Sequence, residues 1–196
     1  EGLGAVVWDT ALLVIFGVQH SVMARKPFKQ WLCQYIPQHL ERSVYVLASS
    51  VVLAWVMWAW QPVNSLIWNF EAPVAVGIIY GFFFLGWGVI FLATFLTDHF
   101  DLFGLRQVYL NFMQKEYKPL PFTEKLLYMF VRHPMMTGMM IAFWATPTMT
   151  VGHLVLSVVF TGYVLYGVKL EEADLVNELG ADYEDYRKRT AKFLPF

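Results

Sequence analysis

Val131–Glu172 reads VRHPMMTGMMIAFWATPTMTVGHLVLSVVFTGYVLYGVKLEE. Two apolar stretches, Val131–Thr146 and His153–Val168, flank a short break at Pro147-Thr148-Met149-Thr150-Val151-Gly152. Pro and Gly in that break mark a tight turn, so the pattern predicts a helical hairpin. Its first arm opens on Arg132-His133-Pro134, and its second closes on Lys169-Leu170-Glu171-Glu172. If each arm crosses a bilayer, both ends return to one face. A cation and a histidine then meet two adjacent carboxylates, which suits a small ligand carrying both a carboxylate and an ammonium.

The rest of the chain supports a bilayer. Of its 196 residues, 58% are hydrophobic, 18% aromatic and 15% charged, against ~25% charged in a soluble domain. This is the composition of an integral membrane protein, and the length fits one domain over residues 1–196. No basic tract interleaves with aromatics, so a nucleic-acid partner is not expected. The single cysteine, Cys33, excludes an intrachain disulfide and a cysteine-based zinc site, and no metal is expected. The chain opens on Glu1 rather than Met, which suggests a first span that has lost its start. No cleavable signal is expected, because the spans themselves direct insertion.

A span takes about 20 largely apolar residues. Segments 4–23, 44–60, 74–96, 131–146 and 153–168 qualify, with Asp9 a blemish near the outer end of the first. Lys and Arg gather on the cytoplasmic side of membrane proteins. Arg25, Lys26, Lys29 and Arg42 follow the first span, and the loop Gln61–Pro73 has none. Arg106, Lys115, Lys118, Lys125 and Arg132 follow the third, and the turn after the fourth has none. Lys169, Arg187, Lys188, Arg189 and Lys192 follow the fifth. All 14 basic residues thus fall on one side of a five-span topology, with the N-terminus outside and the C-terminus in the cytoplasm. The expected fold is therefore all-α, with five transmembrane helices plus cytoplasmic amphipathic and C-terminal helices.

Several local features fit. Trp55, Trp58, Trp60 and Trp68 read as an interfacial belt at the outer end of span two. Gly77, Gly81, Gly86 and Gly88 could admit close helix contact along span three. Thr97–Phe130 is amphipathic and loop-like, broken by Pro119 and Pro121, with a helix start at Thr123-Glu124. Cytoplasmic helices are expected at about 170–179 and 181–190, with Gly180 as the stop between them.

On this topology the inner face collects ionisable groups: His20, Asp98, His99, Asp101, Arg132, His133, Glu171 and Glu172. Such groups at membrane depth cost several kcal/mol unless paired or functional. Each has a plainer reading as well. Arg132 could be a positive-inside anchor, His133 a helix-start residue and Glu171-Glu172 a solvated first turn. His20 could be an interfacial histidine, and Asp98-His99 a cap. Their convergence favours a site near the cytoplasmic interface.

Arg132-His133-Pro134-Met135-Met136-Thr137-Gly138, followed by Glu171-Glu172, Leu175, Gly180, Tyr183, Tyr186 and Pro195, resembles a C-terminal signature. It is that of the isoprenylcysteine carboxyl and phospholipid methyltransferase superfamily. Met136 stands where that superfamily usually has Tyr. Phe16-Gly17-Val18-Gln19-His20-Ser21-Val22-Met23-Ala24-Arg25 resembles the first-span motif of the bacterial methanethiol S-methyltransferases and their NnrU-like relatives. The methanethiol group is resembled again at Asp98-His99-Phe100-Asp101-Leu102-Phe103-Gly104-Leu105-Arg106-Gln107 and across Ala142–Thr150.

The resemblance implies methyl transfer from S-adenosylmethionine to methanethiol, giving dimethyl sulfide, in the inner membrane of a bacterium. By resemblance and charge, Arg132 and His133 would hold the donor's carboxylate, and Glu171 or Glu172 its ammonium. Tyr183, Tyr186 and Arg187 would line the nucleoside end, and Gly138 would permit close backbone approach. A thiol is weakly nucleophilic until deprotonated. His20 or the Asp98-His99 pair could take the proton, and Arg106 could steady the thiolate. Alternatives are a prenylcysteine carboxyl or phospholipid amine methyltransferase, an NnrU-like protein of other chemistry, and haem held by His20, His99 or His133. Oligomeric state is not legible.

Overall fold

The computed structural model describes residues 2–120, 122 and 124–194. Pro121, Thr123 and Pro195, named above as a breaker, a helix start and part of the signature, lie outside the described residues. In chain order the elements are α1 (Gly2–Ala24), α2 (Lys26–Leu32), a 3-10 turn (Gln38–Leu40), α3 (Glu41–Ala59), β1 (Leu66–Asn69), α4 (Pro73–Leu96), α5 (His99–Leu102), α6 (Leu105–Phe112), α7 (Leu127–Phe130), α8 (Pro134–Trp144), β2 (Thr148–Thr150), α9 (Val151–Leu179) and α10 (Ala181–Arg189). Among the described residues, four helical stretches are long and apolar enough to cross a membrane: Gly2–Ala24, Gln38–Ala59, Pro73–Leu96 and Val151–Leu179. The chain is an all-α integral membrane protein in which β1 and β2 form a small antiparallel pair.

Two expectations change. The fourth span was expected as a helix over 131–146, but α8 has only 11 residues. At 1.5 Å per residue it covers roughly 16 Å, about half of a hydrocarbon core. Pro134 fixes its start, and Pro147 disfavours helix at Thr146. The expected turn after it contains β2, antiparallel to β1. The second change lies in α9. The fifth span and the expected helix over 170–179 are one continuous helix of 29 residues. The sequence Lys169-Leu170-Glu171-Glu172-Ala173 consists of good helix formers, and nothing in it stops propagation. The stop falls at Gly180, as expected, and α10 follows at once.

The described residues pack as two units, one drawn from 3–61 with 97–122 and the other from 62–96 with 124–194. In the first, α1 and α3 run antiparallel. Trp8 Nε1 donates to the Ala59 carbonyl at 2.9 Å, and the Gln61 amide donates to Asp9 Oδ1 at 2.9 Å. The first contact satisfies a carbonyl that the end of α3 leaves over, and the second pairs a backbone amide just beyond it. The expected blemish, Asp9, is fully buried. The segment 97–130, expected to be amphipathic and loop-like, holds the short helices α5, α6 and α7, the first two of them in this unit. Gly104 joins them at φ +80°, and a Cβ there would come within 2.6 Å of the Ser43 amide nitrogen. Conformation and space both require glycine at this joint.

In the second unit α4 packs along α8. Of the four glycines expected to admit a neighbour, Gly86 does so. A Cβ on Gly86 would lie 2.7 Å from the Gly138 carbonyl, whereas none on Gly77, Gly81 or Gly88 would meet anything within 4 Å. At one end of the unit the 62–72 loop and the 145–151 turn are laced together. The Phe70 amide donates to the Pro147 carbonyl at 3.0 Å, and Val151 to Ser65 at 2.8 Å. Trp68 Nε1 donates to the Thr146 carbonyl at 3.1 Å. The Phe143 carbonyl near the end of α8 accepts from His153 Nε2 at 2.9 Å and Ser157 Oγ at 2.8 Å. The non-helical stretch after Trp144 therefore keeps backbone partners, as a membrane interior demands.

Candidate functional site

At the other end of the second unit the two arms of the hairpin meet. Arg132 and His133 precede α8, and Glu172 lies on the polar continuation of α9 beyond Val168, outside its apolar span. The chain after α10 returns alongside them. Val131 bridges Ala191, the Arg132 amide donates to the Ala191 carbonyl at 2.9 Å, and the His133 amide to the Lys192 carbonyl at 3.2 Å. Thr137 Oγ1 donates to the Phe193 carbonyl at 2.9 Å.

Glu172, 5% exposed, is the centre of an ion cluster. Arg132 Nε and Nη2 approach its Oε1 at 2.9 and 2.8 Å, and His133 Nε2 lies 3.2 Å from the same oxygen. Lys192 Nζ lies 3.0 Å from Oε2. Burial alone would raise this carboxyl. Hydrogen bonds from Lys192, Arg132 and His133 outweigh burial and bring it down to about 2. Arg132 also reaches beyond Glu172. Its Nη1 donates to the Arg187 carbonyl at 3.1 Å and to the Thr190 carbonyl. These carbonyls close the C-terminal end of α10, where a cation is favoured. Arg132 thereby ties α9 to α10.

Glu171 differs from its neighbour. Its side chain is half exposed, and Oε2 lies 3.5 Å from His133 Nδ1. The imidazole thus stands between the two carboxylates expected from the sequence. Tyr183 and Tyr186, expected to line a nucleoside, are both 1% exposed. They form the packed face of α10, with ring centroids 5.8 Å apart, and Tyr186 donates to the Tyr128 carbonyl at 2.6 Å. Burial first, then the charge of Glu172, pushes the Tyr183 phenol up to about 12, so it stays protonated at neutral pH. Gly138 is accounted for by its contact with α4, since its Cβ would lie 2.6 Å from the Gly86 carbonyl. Of the expected donor set, Arg132, His133, Glu171 and Glu172 meet. The Arg187 carbonyl joins them, while its side chain is exposed.

In the first unit, His20 has hydroxyl neighbours on α3. Tyr45 Oη lies 2.8 Å from Nε2, and Ser49 Oγ lies 3.3 Å from Nδ1. Gln19 Nε2 donates to Ser49 Oγ at 3.3 Å. Asp98 caps the start of α5 by accepting the Asp101 amide at 3.0 Å. His99 packs edge-on to Phe100 and beside Phe103. Asp101, 6% exposed, is the carboxylate that organises this region. It pairs with Arg106 at 2.9 Å and Arg42 at 3.2 Å, and Tyr117 Oη lies 3.4 Å away. Arg106 and Arg42 thus share this single carboxylate.

A cavity of about 410 Å³ lies at the laced end of the second unit, between Trp68, Phe70, Ile79, Phe82, Ile141 and Trp144. Its lining carries no titratable side chain, so charge chemistry belongs to the other end.

Sequence reading missed Lys192, Arg42, Tyr45 and Ser49. Tyr45 and Ser49 were findable as polar residues one turn apart on an apolar helix. Lys192 carried no signal beyond its charge.

Membrane-spanning helices and a buried ion cluster at one helical end define a class of polytopic α-helical membrane protein. The family described as "NnrU protein" matches residues 10–193, and the chain belongs to it. A methanethiol S-methyltransferase of Crocosphaera subtropica is 51% identical over 98% of this chain and 75% of its own length. One from Mycobacterium tuberculosis is 46% identical over 98% of this chain and 79% of its own. Rat nurim is 32% identical over 88% and 69%. No solved structure matches.

Proposed function

We propose that the chain transfers the methyl group of S-adenosylmethionine to methanethiol, forming dimethyl sulfide. Similarity over 98% of this chain, and over 75% and 79% of their own length, to proteins named methanethiol S-methyltransferase supports the substrate. The observation that carries the donor is the ion cluster on Glu172. Arg132 and Lys192 bring two positive charges against one carboxylate, and Glu171 beside His133 adds a second, half-exposed carboxylate. An amino-acid headgroup closes that balance, its carboxylate on the cationic side and its ammonium on Glu171. Burying a zwitterion is tolerable when each charge meets its opposite.

The donor supplies a methyl on a sulfonium. The thiol sulfur forms a new bond to that carbon, the old carbon–sulfur pair returns to the donor sulfur, and the thiol proton leaves. The chain's part is to orient the reactants and to exclude water. Arg132 holds the ends of α9 and α10 so that Glu172, His133 and Lys192 keep their places. Tyr183 and Tyr186 stiffen the α10 wall from inside, and the nucleoside end lies against that helix near Arg187. His20 is the proton acceptor of this reading, with Tyr45 and Ser49 fixing its ring. Its support is those hydroxyl contacts alone. His20→Gln should lower kcat at neutral pH and flatten the acid limb of its pH profile; an unchanged profile removes the role.

In topology, α1, α3, α4 and α9 cross the inner membrane of a bacterium, and the segment from α8 through β2 makes the remaining crossing. Its two ends support this, tied respectively to the 62–72 loop and to the 191–193 tail. The N-terminus is then outside and the C-terminus cytoplasmic.

The test is methyl transfer from labelled donor by purified protein to methanethiol, a prenylcysteine or phospholipid. Label in dimethyl sulfide is expected. Label only in a lipid product would overturn the acceptor.

A further inference from the structure

We infer that Lys192 is the cation that receives the donor's carboxylate, while Arg132, the signature residue, is a fastening. This deepens the donor site proposed above and rests on that reading. Three cationic or potentially cationic side chains surround Glu172, and they differ in how far they are committed. The Arg132 side chain is 9% exposed, and all three guanidinium nitrogens are engaged: Nε and Nη2 on Glu172, Nη1 on the Arg187 and Thr190 carbonyls. Taking a ligand carboxylate there would strip the C-terminal end of α10. The His133 side chain is 5% exposed and stands between Glu171 and Glu172. Lys192 is 42% exposed and holds Glu172 Oε2 at 3.0 Å. An ammonium has three N–H donors, so it can keep Glu172 and still offer hydrogen bonds to an incoming anion.

The backbone reinforces this assignment. The Lys192 carbonyl accepts the His133 amide, and the Phe193 carbonyl accepts Thr137 Oγ1. The lysine is therefore set on a strand-like tail pinned beside the start of α8, so its stem begins from a fixed place. Charge counting agrees. With Glu172 facing Arg132 and Lys192, one positive charge is left over, and it belongs to the accessible partner. A carboxylate that meets Lys192 neutralises it, and the adjoining ammonium falls to Glu171, the accessible acid.

The experiment compares two ligands that differ in the carboxylate alone: S-adenosylhomocysteine and its decarboxylated analogue, 5′-deoxy-5′-(3-aminopropylthio)adenosine. Calorimetric titration of the full chain in detergent gives Kd for wild type, Lys192→Gln and Lys192→Arg. Losing a charge-assisted hydrogen bond should weaken S-adenosylhomocysteine by about 10- to 100-fold in Lys192→Gln. The analogue should bind wild type and Lys192→Gln alike, and Lys192→Arg should recover most of the loss. Equal weakening of both ligands, or none, overturns the assignment. A wild type that binds neither ligand overturns the donor site itself, which is a separate result. A second readout needs no variant: S-adenosylhomocysteine should shield Lys192 of the wild type from acetylation, read by peptide mass, and the analogue should not. Equal shielding by both contradicts the assignment.

Discussion

Replacing Glu172 by Gln keeps the side chain's shape and removes its charge. Arg132 would then sit buried, with its Nε and Nη2 facing a neutral amide. Removing one partner of a buried ion pair typically costs 3–5 kcal/mol. Lys192, at 42% exposure, can turn to water, so the low end applies here, about 3 kcal/mol. The depressed Glu172 carboxyl, about 2 against an ordinary 4.5, gives the same order, about 3 kcal/mol. For a chain of this length that corresponds to a fall in Tm of roughly 6–12 °C. Eight tryptophans make intrinsic fluorescence a sufficient probe in detergent. The pH dependence has a defined sign. A carboxyl lowered by folding contributes stability above its unfolded pKa and loses it as pH falls through the folded one. The gap between wild type and Glu172→Gln should be constant from neutrality down to pH 4.5 and close between 4.5 and about 2. A gap under about 2 °C at neutral pH, against the 6–12 °C expected, would refute the buried-pair reasoning.

Other substitutions probe the frame. Gly138→Ala puts a methyl 2.6 Å from the Gly86 carbonyl, and overpacking of that kind costs about 1–3 kcal/mol, read as a lower Tm. Asp101→Asn leaves Arg42 and Arg106 without their shared anion and should lower stability by about 1–3 kcal/mol, with the loss shrinking in Asp101→Asn/Arg106→Gln. Tyr186→Phe removes the donor to the Tyr128 carbonyl and should cost about 1–2 kcal/mol, with weaker amide protection around α7 in hydrogen exchange.

Much of this architecture is visible in the chain itself. Apolar length found α1, α3 and α4 to within a few residues and the first part of α9, because a span must satisfy its backbone internally. The hairpin's charges were legible as well, and Arg132, His133, Glu171 and Glu172 do meet. What they do on meeting was not legible. Opposite charges read as open to a ligand neutralise one another in part, and only partner geometry separates Arg132, fully engaged, from Lys192. The length of α8 was misread because hydropathy counts apolar residues whether or not they are helical: residues 131–133 precede the start that Pro134 sets, and Ala145 and Thr146 follow the helix's end. The β1–β2 pairing joins residues some 80 positions apart, and no local pattern announces such a partner. Asp98 and Asp101 are close in sequence and similar in character. One caps a short helix and the other gathers two arginines, a division set by where the chain turns.

The most direct test of the account is where the donor binds. An azido derivative of S-adenosylmethionine, photolysed on the purified full-length chain and followed by peptide mapping, should label residues 131–144 and 171–194, with excess S-adenosylhomocysteine suppressing both. Suppressible label confined to residues 3–61 or 97–122 would contradict it.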